Sequence, residues 1–507
     1  MPGRGGSMYL AGIGTRAADD PHGAAIRDAR GVLTWSQLAE QLRGAAAALS
    51  ALPPGARVGV TGENTVPTLI THLAGLFSGV GTVALHRQAT AREFTHELTD
   101  TGCALAVIGE GSRAAISEAA SDARVVVHPG PEWDAFVSTS PVELELAGRT
   151  VRPLLVFTSG TTGRAGATEV QWLRDPSITD ARAYVEAVAA EPGFPDGPHL
   201  VVGPLQHNGP LTALRHLLAG RPVVVLPRFD AEEVLRQIAE HRVTSTVLVP
   251  THLTRLLALA PDVRDRYDVS SLIAVAHTGS ACPEHVKRAM IDWWGPVFTE
   301  SYGGSEIGTV CRINSADWLA HPGSVGRAVP GLTIEAYDEN GVVQPRGTTG
   351  VLGITLPPGR AIRFLGDEAK SARAYLATGV ATLGDVGHVD DDGFVYITDR
   401  VSDMVVSGGV NLYPAECEQV LNRHPDVAEV AAIGVPHDDL GETLLALVVP
   451  ARAGVDVADL DAFCRTELAG YKCPRSYELV TDLPRNDMGK LDKRALRKQY
   501  RALTTTR

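Results

Sequence analysis

Three things are scarce in this chain, and each scarcity excludes something. Its six cysteines, spread over 507 residues, include no Cys-x-x-Cys pair. That argues against a zinc site or a disulfide framework and fits a reducing cytoplasm. No apolar run approaches the roughly 20 residues of a membrane-spanning helix, and the opening MPGRGGSMYL has no signal-peptide apolar core. Basic charge is in deficit: 46 Lys and Arg against 59 Asp and Glu give −13. A nucleic-acid surface, or an anionic membrane as a standing partner, is therefore not expected. The expectation is a soluble cytoplasmic protein of open oligomeric state.

What is present is apolar and alternating. With 44% apolar residues, a chain of this length can build several cores, and two to four domains are expected. Thr34 with Gln37 three residues on makes a capping box, and Leu38, Leu42, Ala46 and Leu49 then recur at helical spacing until Pro53. Short apolar runs follow at Val58–Val60, Val83–Leu85 and Ala104–Ile108, with helical stretches Pro67–Phe77 and Arg92–Thr99 between them. The same alternation returns at Leu200–Val202, Val223–Leu226 and Ser245–Val249, with helices after Pro210 and over Ala231–His241. Alternation of this kind means βαβ units, a mostly parallel sheet, and here a second sheet layer.

Between these two blocks lies TSGTTGRAGATEVQ, Thr158 to Gln171, after the apolar run Leu154–Phe157. A buried strand thus empties into a loop of small hydroxylated residues. Gly160 and Gly163 permit sharp turns and close approach to a ligand, and Thr158, Ser159, Thr161 and Thr162 offer hydroxyls beside backbone N–H groups. Such a loop suits phosphates, although Ser/Thr/Gly clusters are also ordinary surface turns. It is not a Walker A loop, because no Lys-Ser or Lys-Thr closes the pattern after Gly160.

Downstream, in order and widely separated, come TESYGGSEIG, GDVGHVDDDGFVYITDRVSDMVVSGGVNLYPAECE and PRNDMGKLDK. With the glycine loop, these motifs make the chain resemble the adenylate-forming superfamily of acyl-CoA synthetases, adenylation domains and luciferases, from about Leu33 to Leu496. PLQHNGP, VPTHLTRLL and HPGSVGR are most similar to acid–CoA ligases of the fatty-acid and bile-acid kind.

The resemblance implies roles residue by residue. The loop from Thr158 through Arg164 holds the β- and γ-phosphates of ATP while a carboxylic acid attacks the α-phosphorus. The usual loop ends Gly-x-Pro-Lys-Gly, whereas this chain reads Gly163-Arg164-Ala165-Gly166, so Gly166 stands where the lysine belongs. Arg164, two positions earlier, is the nearest substitute for that charge. Tyr302-Gly303-Gly304-Ser305-Glu306 implies adenine stacking by Tyr302, an α-phosphate hydrogen bond from Ser305, and Mg²⁺ held by Glu306. Gly279 and Ser280 resemble the adenine-pocket turn, Asp385 the ribose-binding aspartate, and Arg400 a ribose or phosphate contact. His207 falls where the family keeps a histidine beside the substrate carboxylate, with Gln206 replacing the preceding aromatic. Lys490 matches the final motif's lysine, which spans carboxylate and α-phosphate as charge builds in the transition state. Gly408 and Gly409 would let the pantetheine arm of coenzyme A pass close to the backbone. Lys472 and Arg475 are the nearest basic candidates for its phosphates.

The expected architecture is α/β: a large, multi-layered N-terminal portion over residues 1–401 and a small mobile C-terminal α/β domain over 402–507 that carries Lys490. The expected reaction is ATP-dependent conversion of a carboxylic acid to acyl-adenylate, then transfer to coenzyme A. Transfer to a non-CoA acceptor, such as a carrier-protein thiol or an amine, is the alternative enzyme reading. A non-catalytic nucleotide-binding protein has only the altered loop in its favour.

Overall fold

The computed structural model describes residues 9–158, 166–173, 175–408, 410–437, 439–485 and 491–504. Ser159–Arg164, Gly409 and Lys490 therefore lie outside the described residues. The first block of alternation builds a six-stranded sheet. Its order is Arg124–His128, Cys103–Gly109, Arg57–Thr61, Gly81–Leu85, Leu155–Thr158 and Gly166–Glu169, parallel except for the last strand. The glycine loop therefore spans a hairpin whose flanks are Thr158 and Gly166, directly paired in register.

The second sheet, of fifteen strands, is parallel over six of them. Ala24–Asp28, Val223–Val225, His199–Val201, Ser245–Leu248, Ala274–Thr278 and Phe298–Gly304 all run one way. From Gly308 onward the neighbours turn antiparallel through Gly308–Asn314, Ser324–Ala328, Val395–Arg400, Asp385–Val389 and Gly350–Thr355. The parallel core matches the sequence pattern. The antiparallel part and the strand Ala24–Asp28 were not read from it, because short strands rich in Gly and charge carry little period-two signal.

Helices fill the space between the sheets. Trp35–Ser50 starts at the expected capping box, with both reciprocal bonds formed between Thr34 and Gln37. Val66–Ser78 is buried along almost its whole length. One core cluster joins Leu69, Ile70 and Leu73 of that helix to Val58 and Val107 of the first sheet and Val201 and Val223 of the second. At roughly 25 cal/mol per Å² of apolar surface, this shared core welds the two sheets into one scaffold.

After Arg400 the pairing changes. A separate five-stranded sheet is centred on the hairpin Val427–His437 with Gly441–Pro450, flanked by Val405–Ser407 and Ser476–Leu479. The helices Pro414–Leu421, Val457–Glu467 and Lys493–Thr504 complete this smaller α/β portion.

Candidate active site

Parallel strands deliver loops at their carboxyl ends, and in open α/β sheets ligands bind outside those ends. Here those ends carry three of the sequence-nominated segments. His207 follows the strand His199–Val201 and occupies the N-cap of the helix Asn208–Leu218. Gly279 and Ser280 follow Ala274–Thr278, where Gly279 takes φ +98°, a region open to glycine and costly for other residues. Tyr302 sits near the end of Phe298–Gly304.

The tightest constellation is Tyr302, Asp385 and Arg400. Asp385 and Arg400 face each other across an antiparallel pair, and Arg400 Nε donates to Asp385 Oδ1 at 2.9 Å. The Tyr302 hydroxyl donates to the other oxygen at 2.7 Å. Asp385 is buried, while the Arg400 side chain keeps most of its surface in water. Burial first, and then the Asp385 carboxylate, hold the Tyr302 hydroxyl's pKa well above its ordinary value. Tyr302 therefore keeps its proton and serves as a hydrogen-bond donor to Asp385. The three residues fit one nucleoside: an aromatic face, a carboxylate acceptor and an exposed guanidinium.

Glu306 lies on the turn between Phe298–Gly304 and Gly308–Asn314, closed by Ile307 N–H to the Gly304 carbonyl at 3.2 Å. A Cβ on Gly303 would stand 2.0 Å from the Gly308 carbonyl oxygen, so the hairpin closes only with glycine there. One on Gly304 would stand 2.8 Å from Glu306 Oε2, so the motif's second glycine leaves the carboxylate its room. A single carboxylate of this kind fits Mg²⁺, which takes one or two protein oxygens and completes its shell with phosphate and water. Among the described residues no group of three His, Cys, Asp or Glu could hold a metal.

The His207 loop is pinned from the first sheet. Asn64 accepts from Leu205 N–H at 3.0 Å and donates to the Leu226 carbonyl at 2.8 Å. Gln206, buried, accepts from Arg87 N–H at 3.2 Å. The sequence reading missed Asn64, since a lone asparagine before a helix reads only as a cap. A Cβ on Gly209 would stand 3.2 Å from Val247 Cγ1, so that glycine brings helix and strand together.

In the smaller portion, Gly408 N–H donates to the Leu440 carbonyl at 2.9 Å. Lys472 is held by Glu416 at 2.7 Å on the helix Pro414–Leu421, which engages one of the two basic candidates for coenzyme A. The ends of the segment bearing Lys490 are tied together by the Arg485–Leu491 bridge and by Asp492 N–H to the Pro484 carbonyl at 2.8 Å. The two portions meet at Asp399, which accepts from its neighbour Arg400 N–H at 2.7 Å and from Ala415 N–H at 2.8 Å.

Comparison with known proteins decides what this constellation belongs to. Residues 14–357 match the model of the AMP-binding enzyme family, and residues 416–490 match that of the AMP-binding enzyme C-terminal domain. The chain belongs to that family. A 3-[(3aS,4S,7aS)-7a-methyl-1,5-dioxo-octahydro-1H-inden-4-yl]propanoyl:CoA ligase of Rhodococcus jostii is 33% identical, with 94% of this chain and 95% of the relative covered. A feruloyl-CoA synthase of an Amycolatopsis species is 32% identical, with 96% and 97% covered. Among solved structures, ATP-bound MatB of Rhodopseudomonas palustris superposes with a TM-score of 0.83 at 28% identity, covering 98% of this chain and 100% of that one. The amide bond synthetase McbA of Marinactinospora thermotolerans superposes with 0.82 at 27% identity, covering 97% and 100%. The resemblance to adenylate-forming acid–CoA ligases, and the α/β fold of large and small portions that it implied, are thereby established.

Proposed function

We propose that this AMP-binding enzyme is an AMP-forming acid–CoA ligase that activates a carboxylic acid with ATP and passes the acyl group to coenzyme A. The observation that carries the nucleotide reading is the Tyr302–Asp385–Arg400 cluster beside the Glu306 turn. Asp385 offers its carboxylate to the ribose hydroxyls, Tyr302 its ring to adenine, and Arg400 its free guanidinium face to ribose or α-phosphate. Magnesium, held by Glu306, would neutralise charge on the phosphate oxygens. In the first step a carboxylate oxygen of the substrate forms a bond to the α-phosphorus. The bond to the β-phosphate oxygen breaks, and pyrophosphate leaves with its electron pair. Lys490 is the cation assigned to the charge that develops there, and His207 borders the acid's carboxylate. In the second step the thiol sulfur attacks the acyl carbon, AMP leaves with the electrons of the mixed anhydride, and the thiol proton is released.

The boundary between portions is proposed at residues 401 and 402, supported by the change of sheet between Val395–Arg400 and Val405–Ser407. No helix among the described residues is long and apolar enough to cross a membrane. All six cysteines are free, which supports a cytoplasmic setting.

The deciding experiment is a panel of acids, led by ring-bearing propanoic and cinnamic acids and extended to fatty acids, scored for pyrophosphate release with and without coenzyme A. Thioester and AMP rising in step on addition of coenzyme A is the expected result. Stalled turnover that resumes with an amine would move the chain to the acceptor class named for McbA. Absence of pyrophosphate release across the panel would sink the adenylation reading.

A further inference from the structure

Gly166, where the loop lysine of related enzymes belongs, is not surrounded by empty space. A Cβ built there would stand 2.7 Å from the ammonium nitrogen of Lys370, 3.4 Å from Lys370 Cδ and 3.1 Å from the ring of Phe364. The volume that a side chain at residue 166 would enter is already occupied, and what occupies it is a lysine. We propose that Lys370 supplies, from another part of the chain, the cation that the glycine loop lacks, and that its ligand is the pyrophosphate portion of ATP. This rests on the ATP-dependent reading of the site.

The placement is built rather than incidental. Leu365 N–H donates to the Ala167 carbonyl at 2.8 Å, and Thr168 Oγ1 donates to the Arg363 carbonyl at 3.0 Å. These bonds lay the segment before Lys370 alongside the strand Gly166–Glu169. Asp367 then caps the helical turns Glu368–Arg373 by accepting from Lys370 N–H at 2.8 Å, which fixes where the Lys370 side chain departs. Phe364 lies 4.1 Å under the ammonium, a cation–π contact that holds the tip over Gly166.

The ammonium also lacks what a structural lysine has. Its nitrogen is shielded from solvent and has no hydrogen-bond partner among the described residues. An ammonium taken from water without an acceptor is costly, so folds pair such groups or leave them for a ligand. Burial lowers the Lys370 pKa from its ordinary value, and the nearby carboxylates of Glu306 and Asp367 act in the opposite sense. Glu306 is the residue proposed to hold magnesium, and its carboxylate acts on the Lys370 ammonium, so a metal-bound polyphosphate held there would lie within the field of that ammonium. A point charge on a flexible stem suits phosphate oxygens there.

The test separates pyrophosphate from adenylate. Magnesium pyrophosphate, ATP and AMP are titrated calorimetrically into the intact enzyme and into Lys370→Met, with thermal unfolding recorded for both. Lys370→Met should weaken pyrophosphate binding and raise the KM for MgATP about ten- to hundredfold, the range for one charge-assisted hydrogen bond. AMP binding and thioester formation from supplied acyl-adenylate should stay unchanged, since neither involves the β- and γ-phosphates. Lys370→Arg should retain most of the affinity. The double variant Gly166→Lys/Lys370→Ala, which returns the lysine to the loop, should recover what Lys370→Ala loses. Equal affinity for pyrophosphate in Lys370→Met and the unaltered enzyme would overturn the proposal, as would parallel loss of pyrophosphate and AMP binding. If the unaltered enzyme releases no pyrophosphate with any acid, the ligase reading fails, and the pyrophosphate and AMP titrations still decide the role of Lys370.

Discussion

Lys287 and Lys370 both take an ammonium group out of water, in two regions of the large portion, and the fold treats them differently. Lys287 meets Glu300 at 2.5 Å and lies 4.6 Å over the ring of Trp318, so its charge is balanced inside the protein. Lys370 has the aromatic cover of Phe364 without a carboxylate in hydrogen-bonding reach among the described residues. Buried histidines show a third treatment. Burial holds His72 and His252 neutral, with pKa values lowered to about 3, and His128 and His216 likewise at about 4. The scaffold therefore discharges or pairs these groups in its interior. Lys370 departs from that pattern beside the glycine loop, where a ligand's charge is expected.

Acid gives the largest expected effect on the first half of this comparison. The folded pKa values of these histidines lie below the ordinary 6.5. The unfolded chain therefore binds protons that the native form refuses, and stability is full above about pH 6.5 and falls as pH drops toward 4. At pH 5 each such histidine costs about 2 kcal/mol. Calorimetric unfolding should show a marked fall in Tm between pH 7 and pH 5 with net proton uptake. A flat profile would mean that these rings are charged in the native state.

Breaking the paired lysine comes next. Lys287→Met strands Glu300, which is 8% exposed, and should cost about 3–5 kcal/mol of stability. Lys287→Met with Glu300→Leu should recover much of that loss, because two apolar groups of similar volume need no partner. Lys370→Met, which strands nothing, should leave Tm nearly unmoved. Equal destabilisation by the two single variants would erase the distinction between them.

Asp385→Asn sharpens the contrast from the ligand side. Asparagine keeps the volume and one acceptor but loses the charge that Arg400 and the Tyr302 hydroxyl share. Loss of one charge-assisted contact should lower kcat/KM for MgATP by about 1.5–3 kcal/mol. Unlike Lys370→Met, it should weaken AMP and ATP alike, because adenosine is common to both. Selective loss of ATP alone would move Asp385 away from the ribose.

Much of this was legible in the sequence, and the gaps have physical causes. The helix that opens at the Thr34 capping box falls where its cap and apolar period put it, and the helix Ala231–His241 falls where the alternation of strands and helices puts it. Tyr302, Asp385 and Arg400 were nominated from motifs far apart in the chain, and the structure joins them by two hydrogen bonds. Lys370 left no trace, because a lysine in a short charged stretch reads as solvated, and its approach to Gly166 depends on two bonds between distant segments. Asn64 was missed for the same reason, its partners being Leu205 and Leu226.

The smallest expected effect asks whether any unpartnered polar atom near the site would behave like Lys370. Gln206 supplies the control. It is 3% exposed, and its Nε2 has no partner among the described residues, yet it is neutral. Gln206→Leu removes one ordinary hydrogen bond, from Arg87 N–H, worth about 1 kcal/mol, and also removes an unsatisfied amide group whose burial costs a similar amount. The two terms offset, so stability should shift by less than about 1 kcal/mol. Gln206 precedes His207 on the acid's side of the site, so the KM for the acid should move while the KM for MgATP stays within about twofold, or about 0.4 kcal/mol. The measurement is a pair of KM values set beside those of Lys370→Met. If Gln206→Leu raised the MgATP KM as far as Lys370→Met does, an orphaned polar atom of any kind would suffice, and charge would not be what distinguishes Lys370. If only the acid's KM moves, the ammonium's charge and its place over Gly166 are what the nucleotide reads.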